Sequence, residues 1–494
     1  MSDLLLVNPL FLREDPVEQR LMTPYFPLGL LYLAAVARRA GYTVSIFDGM
    51  FAAGDQDFAE ALEREGPRVV GISVLATVRA AALRLAALAH RRGAIVIVGG
   101  SDPTGRPADY LQHRVSGSYP IDVVAAGEGE QTLLELLPVL LAEQGGNSGV
   151  SGRQELVRVP GVAFLNEMGD VVRTPPRALC ANLDDLPLPA RDLIDFEQYR
   201  QAWRKRHGYF SMSLIATRGC PYHCSWCQKS VFGTSFRPRS PEAVADEMRR
   251  IKEEIQPDRI RIVDDVMGID RKWVRAWHDA VLAREAVIPF ECLSRVDLMD
   301  EEVARLLKEA GCRRIAFGAE SGSQRILDAM HKGTRVEEIR RATDLCRRYG
   351  IETYLYLMLG YPGEGWTDIK KTVDLLKDTR PDQFSSTLAY PLPGTAFYEE
   401  IRHCLLAEPD WDYTAENRLL FRRSHSTRFY RWTQRWLTNE WRAARLRHGE
   451  DHAPVFRRVY RQASVWASRG MVEFLRRSEA IAGSELAEAP KDPS

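Results

Sequence analysis

Short apolar runs rich in Val, Ile and Leu alternate along the chain with longer segments whose apolar positions return every three or four residues. Runs of the first kind read as buried strands, those of the second as amphipathic helices. In residues 1–145 the strand-like runs are "DLLLVN" (3–8), "TVSIFD" (43–48), "RVVGISV" (68–74), "AIVIVGG" (94–100) and "IDVVAA" (121–126). Helical patterns separate them, as in "PLGLLYLAAVARRAG" (27–41) and "VRAAALRLAALAHRRG" (78–93), each closed by a glycine. Such alternation demands a parallel sheet with crossover helices, so this half is expected to be a doubly wound, Rossmann-like domain. Ligands of these sheets bind beyond the carboxyl ends of the strands, where Gly99, Gly100, Gly127 and Gly129 fall. No G-x-G-x-x-G follows the first strand, which argues against a dinucleotide.

The alternation resumes after residue 206. Six strands, from "SLIATRG" (213–219) through "RIRIVDD" (259–265), "IPFECLSRVD" (288–297), "RRIAFGAES" (313–321) and "IETYLYLMLG" (351–360) to "DQFSSTLAYPLPG" (382–394), are each followed by a helical or loop segment. Between the two α/β regions, "GGNSGVSGR" (145–153) reads as a flexible segment. "VPGVAFLNEMGDVVRTPPR" (159–177) reads as a hairpin turning near Gly169, and the Pro-rich "LDDLPLPAR" (183–191) as an extended connector. The expected organisation is an N-terminal domain at 1–145, a linker with a hairpin at 146–205 and a second α/β domain at 206–405. A helical C-terminal region at 406–480 and a disordered tail at 481–494 complete it.

Charge changes the picture only at the end of the chain. Lys plus Arg and Asp plus Glu balance at 67 each, yet residues 418–477 hold 15 Arg, four acidic residues and four Trp (Trp432, Trp436, Trp441, Trp466). Three roles compete for this region: a cap burying its Trp face on the barrel, a peripheral membrane contact, and a cover for a large apolar or anionic substrate. No nucleic-acid-binding motif accompanies the charge. The N-terminus lacks the basic start of a signal peptide and no run of 18 apolar residues occurs, so a cytoplasmic location is expected.

The chemistry concentrates in "RGCPYHCSWCQKS" (218–230), which holds Cys220, Cys224 and Cys227. The other five cysteines are scattered singly and read as small buried apolar residues. A disulfide would leave one thiol over. A zinc site wants a second C-x2-C-like pair or histidines, and only His223 is near. Three thiolates can instead hold three irons of a 4Fe–4S cluster and leave the fourth open.

Cys220-x3-Cys224-x2-Cys227, with Trp226 before the last cysteine, resembles the signature of the radical S-adenosylmethionine (SAM) superfamily. The six β/α units then resemble that family's partial (β/α)6 barrel, with chemistry at the carboxyl ends of the strands. The resemblance implies that the three cysteines ligate the cluster and that SAM sits on the open iron. It further implies that Trp226, Arg295 in "SRVD", Glu320 in "GAESGS" and the backbone of "LMLGYPGE" (357–364) approach SAM. Asp264 and Asp265 end a strand in the same region, as helix caps or as site residues. The N-terminal half resembles the cobalamin-binding domain fused upstream of many radical SAM enzymes, through "PLGLLYLAA", "GGSDPT" (99–104) and "GEGE" (127–130). Ser73, Gly99, Gly100, Ser101, Gly127 and Glu128 are the implied cobalamin contacts. The Asp-x-His-x-x-Gly motif that ligates cobalt is missing, and Asp102 stands where many relatives carry a histidine. The branch most similar in look is that of the anaerobic magnesium-protoporphyrin ester cyclase. These resemblances imply a C-methyltransferase acting on a small-molecule or natural-product substrate. Its cofactors would be SAM, a 4Fe–4S cluster and cobalamin, with a flavodoxin or ferredoxin as electron donor and no identified general base. Radical cyclisation or rearrangement is the alternative reaction. A non-catalytic cobalamin or cluster sensor is the alternative of another class.

Overall fold

Alternation along β1 (Leu4–Asn8) sets the first layers. Leu4 and Leu6 face one side and pack with Leu30, Ala34, Leu133 and Leu137. Leu5 and Val7 face the other and pack with Phe58, Leu85 and Ala86. The helices Leu28–Arg39 and Gly129–Ala142 therefore cover one face, and Asp55–Glu65 and Arg79–Arg91 the other. In this computed structural model, which describes residues 2–142, 155–405, 421, 423–451 and 454–487, β2 (Val44–Asp48), β3 (Val69–Ser73), β4 (Ile95–Gly99) and β5 (Val123–Ala125) join β1 in parallel. The order β2-β1-β3-β4-β5 reverses between β1 and β3, the switch at which doubly wound sheets bind ligands.

The hairpin forms as expected from β6 (Val162–Leu165) and β7 (Val171–Arg173), but it is not a free linker element. β6 pairs antiparallel with β5, so the hairpin completes a seven-stranded first sheet. That pairing covers the backbone edge of β5, which would otherwise stay open. The glycine-rich stretch 145–153 lies outside the described residues.

β8 (Ser211–Leu214) opens the second sheet, followed by a short antiparallel pair, β9 (Thr217–Arg218) with β10 (Arg237–Pro238). β11 (Arg259–Met267), β12 (Phe290–Ser294), β13 (Cys312–Glu320), β14 (Glu352–Leu359) and β15 (Gln383–Leu388) complete an all-parallel sheet of order β15-β14-β13-β12-β11-β8. The first strand stops earlier than its apolar run because Asp264 of β11 takes the Ala216 N–H at 2.7 Å, so the chain leaves the sheet there. Cys292, Cys312 and Cys346 are buried in the barrel core, as their isolated positions imply, whereas Cys180 and Cys404, expected to be buried as well, are only half-buried.

The barrel core does not end with the barrel. One apolar cluster includes Leu10, Phe26, the strands β8 and β11–β14, and Phe429, Trp436, Leu437, Val472 and Leu475 of the C-terminal helices Thr427–Arg447 and Val455–Ala487. Trp436 stacks on Trp366 with ring centroids 5.4 Å apart, and Trp441 donates its indole N–H to the Pro381 carbonyl at 2.8 Å. The first helix is thus a cap, whereas Trp466 on the second points outward. That second helix runs seven residues into the segment expected to be disordered, and residues 488–494 of it lie outside the described residues.

Trp436→Ala should therefore cost about 3–5 kcal/mol in the unfolding transition of the barrel. Trp466→Ala should change it by less than about 0.5 kcal/mol. Denaturant titration followed by near-ultraviolet dichroism checks the pair; equal effects would contradict the cap.

Candidate functional site

The neck of the cysteine loop is built by hydrogen bonds from β11. Asp264, fully enclosed, also accepts from the Thr217 hydroxyl at 3.0 Å, and Asp265 accepts from the Gly219 N–H at 3.0 Å. Burial pushes the Asp264 carboxyl up to about 7 and raises that of Asp265 in the same direction. Neither residue caps a helix; both hold the chain where it departs from the sheet. β9 and β10 then close the loop, with Arg218 opposite Arg237. Gly219 has φ +82°, and a Cβ there would lie 2.1 Å from the Ser235 carbonyl oxygen, so the closure excludes a side chain.

Within the loop Cys220 is buried, Cys224 half-buried and Cys227 exposed, and all eight cysteines of the chain are free thiols. Among the described residues no three His, Cys, Asp or Glu side chains gather tightly enough for a single metal ion. A cluster asks for something else, thiolates spread over several irons. The middle of the loop is fastened to the barrel by three contacts. The Ser225 N–H donates to the Met330 carbonyl at 3.1 Å, the Ser225 hydroxyl bonds the Tyr361 hydroxyl at 2.8 Å, and the Phe397 N–H donates to the Ser225 carbonyl at 2.9 Å.

The structure brings Trp226, Arg295 and Glu320 together beside this loop. Glu320, the last residue of β13, is buried with φ +56°, a left-handed conformation that is uncommon for a non-glycine residue. Its carboxylate meets Lys332 Nζ at 3.1 Å, and that ammonium lies 5.3 Å from the Trp226 ring centroid. Arg295 is held by Asp297 at 3.0 Å and donates to the Lys332 carbonyl at 2.9 Å. Its guanidinium covers the Tyr222 ring at 3.5 Å and reaches within 4.0 Å of Cys224 Sγ. Tyr222, Asp297 and Lys332 were not among the expected residues. Tyr222 lies inside the cysteine motif and could have been named, but Lys332 joins Glu320 across a helix and leaves no spacing signal.

At the end of β14, Glu364 accepts from the Gly360 N–H at 2.6 Å, and burial pushes its carboxyl up to about 8. A Cβ on Gly360 would lie 3.0 Å from Arg423 Cδ and 3.1 Å from Tyr430 Cζ. Arg423 also donates to the Ala389 carbonyl at 2.8 Å. The C-terminal region thus reaches the carboxyl ends of β14 and β15.

The first sheet contributes a cavity of about 310 Å³. It opens between β1, β3, β4 and β5 and the helices Leu28–Arg39 and Gly129–Ala142, and Ser73, Gly99, Gly100, Gly127 and Glu128 line it. Ile215, Arg218, Phe232 and Val263 of the second domain close its other side. Ser101 is not in this lining; its carbonyl accepts from Gln228 Nε2 and the Ser230 hydroxyl, each at 3.2 Å. Gly100 has φ +111°, and a Cβ there would meet the Val74 carbonyl oxygen at 2.5 Å. A substitution at Gly100 would therefore distort β3 and β4 before it touched any ligand. Asp102 is buried against Arg106 at 3.1 Å and the Tyr110 hydroxyl, so it serves the interior of the domain. The Glu128 carboxylate faces Arg218 and Arg237 at 3.0 and 2.9 Å.

Residues 214–376 match the Radical SAM superfamily, and residues 20–137 match the B12 binding domain. An uncharacterized methyltransferase of Pyrococcus horikoshii is 30% identical over 418 residues, covering 83% of this chain and 85% of that protein. The anaerobic magnesium-protoporphyrin IX monomethyl ester cyclase of Rubrivivax gelatinosus is 27% identical over 386 residues, covering 76% of this chain and 66% of the cyclase. Among solved structures, the radical SAM methyltransferase TsrM of Kitasatospora setae, with cobalamin and a [4Fe-4S] cluster bound, superposes with a TM-score of 0.67. That superposition has 21% identity and covers 82% of this chain and 78% of TsrM, a likeness of fold. With the two domains in this order and a relative aligned along most of both chains, the protein belongs to the radical SAM enzymes that carry an N-terminal B12-binding domain.

Proposed function

We propose that the chain is a cobalamin-dependent radical SAM methyltransferase that moves a methyl group onto an unactivated carbon of a small-molecule substrate. The observation that carries this is the junction of the two domains. The cavity of the first sheet is closed by Ile215, Arg218 and Phe232, which flank or belong to the cysteine loop. The residues fit both groups. The cavity is mainly apolar and opens where strand order reverses, as a corrinoid would require. The loop offers three free thiols and no disulfide. When bound, the cluster and SAM supply a radical able to take hydrogen from carbon, and cobalamin supplies the methyl carrier.

The chain's own side chains hold and orient. Cys220, Cys224 and Cys227 would ligate the cluster, with Ser225 pinning the loop on Met330 and Tyr361. Glu320, Lys332 and Arg295 would meet the polar end of SAM, and Trp226 would wall the site. Ser73, Gly99 and Gly127 would line the corrinoid pocket. Asp102 is engaged with Arg106, so no side chain at that position is offered to cobalt. A low-potential electron donor of the flavodoxin or ferredoxin class completes the reaction. The likeness to the cyclase supports a second reading, oxidative cyclisation without methyl transfer.

Anaerobically reconstituted protein should hold about one corrinoid and one 4Fe–4S cluster per chain, with a corrinoid spectrum free of imidazole ligation. Given methyl-labelled SAM and host extract, it should pass label to an acceptor. Ala in place of any one of the three cysteines should abolish SAM cleavage. Full iron content in the triple variant would refute the ligand assignment. 5′-Deoxyadenosine formed without labelled acceptor would favour cyclisation.

We further propose that the helix Val455–Ala487 rests on an anionic membrane surface. No described helix is long and apolar enough to cross a membrane. Yet Val459, Tyr460, Trp466 and Phe474 are 66%, 72%, 69% and 64% exposed, and at about 100° per residue they share one face. Arg469, paired with Glu473 at 3.2 Å, flanks that face, and Arg477 lies on it in line with Val459. An anionic bilayer attracts each basic residue near it with a gain of about 1 kcal/mol. The full chain should sediment with phosphatidylglycerol vesicles and not with phosphatidylcholine, and salt should release it. Trp466→Ala with Phe474→Ala should weaken binding on the order of tenfold. Binding that ignores salt and both substitutions would refute the contact.

A further inference from the structure

The sequence offers Glu128 of "GEGE" as a ligand contact, yet it and Glu130 are engaged in a buried charge network at the neck of the cysteine loop. Arg218 Nη1 reaches Glu128 at 3.0 Å, and Arg218 Nη2 reaches Glu130 at 2.6 Å. Arg237 Nη1 reaches Glu128 at 2.9 Å. The side chains of Arg218, Glu128, Arg237 and Glu130 are 3%, 5%, 8% and 11% exposed. Backbone groups complete the set. The Cys180 N–H donates to Glu128 Oε2 at 2.7 Å, and Arg237 donates to the carbonyls of Cys180 at 2.7 Å and Phe232 at 2.9 Å. The Arg218 guanidinium also lies between two rings, Tyr32 of the first domain at 5.4 Å and Phe232 of the loop at 4.9 Å.

Three parts of the chain therefore meet at one carboxylate: the turn after β5, the connector at Cys180 and the two strands of the neck. Arg218 stands two residues before Cys220, and Arg237 closes the same loop from the other side. A guanidinium fork fixes direction as well as distance, which a single ammonium does not. A second latch holds the flank of the loop, where Gln228 and Ser230 donate to the Ser101 carbonyl. We infer that the Glu128–Arg218–Arg237 network, with Glu130, is an interdomain clamp that sets the distance and orientation between the cysteine loop and the cavity of the first sheet. Arg237 is accordingly a positioning residue. It is not itself part of the cavity wall, and it acts through the loop it closes and through Glu128 and Phe232, which are. The inference rests on the proposed two-cofactor reading of those two sites.

Arg237→Lys separates the clamp from simple charge balance. Lysine keeps Glu128 compensated, but one ammonium cannot replace the fork to Glu128, Cys180 and Phe232 together. In holoprotein the variant should keep the iron and corrinoid content of the parent. The spin–spin interaction between the reduced cluster and cob(II)alamin, read by pulsed electron paramagnetic resonance, should broaden into a wider distance distribution. Methyl transfer per 5′-deoxyadenosine formed should fall about tenfold or more, as small misplacements at reacting centres do. Should Arg237→Lys not fold, Glu130→Gln takes the charge from one arm of Arg218 while leaving Glu128 in place, and should show the same broadening in smaller degree. An unchanged distance distribution and an unchanged ratio in a folded variant would overturn the clamp and leave the network a purely stabilising role. Parent protein that binds no corrinoid or does not cleave SAM would instead refute the proposed function.

Discussion

Two arginines share one enclosed carboxylate at the junction of the domains, and the architecture follows from how that charge is kept. Glu128 is nearly inaccessible to water, so an unpaired carboxylate there would cost several kcal/mol. The first sheet can bury it only while Arg218 and Arg237 are present, and those come from the neck of the cysteine loop. The loop in turn holds its shape through β9, β10, Asp264 and Asp265. The cavity of the first sheet, the loop and the barrel entrance are thus parts of one electrostatic arrangement. Opening the junction would expose apolar walls and strand four buried charges together.

The strands were legible because their signal is local. Val, Ile and Leu in short runs between helical periods identify β1–β5 and β11–β15 without knowledge of their partners. What depended on a distant partner was not legible. The hairpin near Gly169 is evident from its turn, but nothing in it says that β6 would pair with β5. The early end of β8 is caused by Asp264, 48 residues away. Glu320, Arg295 and Trp226 were marked by motif, whereas Lys332, which binds the first of them, belongs to no motif. Glu128 shows the same limit from the other side. Its motif was visible, but its arginine partners are 90 and 109 residues further along the chain, and they give it a role that spacing alone does not suggest.

The C-terminal region divides in the same way. Trp432 and Trp436 lie one helical turn apart and Trp441 about 140° round the helix from Trp436, yet all three pack on the barrel core, Trp436 buried and the other two half-buried. Trp466 has similar surroundings in the sequence and faces away, because burial is decided by what lies opposite. Cap and barrel meet at more than an apolar face. Glu364 and Tyr430 are both buried, and Arg423 arches over the end of β15. The polar ends of the strands and the cap therefore have to fit each other.

The membership of the barrel core has a consequence for synthesis. The two apolar layers of the first sheet draw on residues no later than Leu193, so they can assemble while the rest of the chain is still being made. The barrel cannot finish so early. Its core takes Leu10 and Phe26 from the start of the chain and Val472 and Leu475 from near the end. Until residues 427–475 have left the ribosome, the faces of the barrel and of the helix Trp366–Thr379 that await Phe429 and Trp436 stay wet and adhesive. Slow or interrupted translation before residue 475 therefore leaves a folded first domain tethered to an incomplete barrel, the species with most to gain from a chaperone.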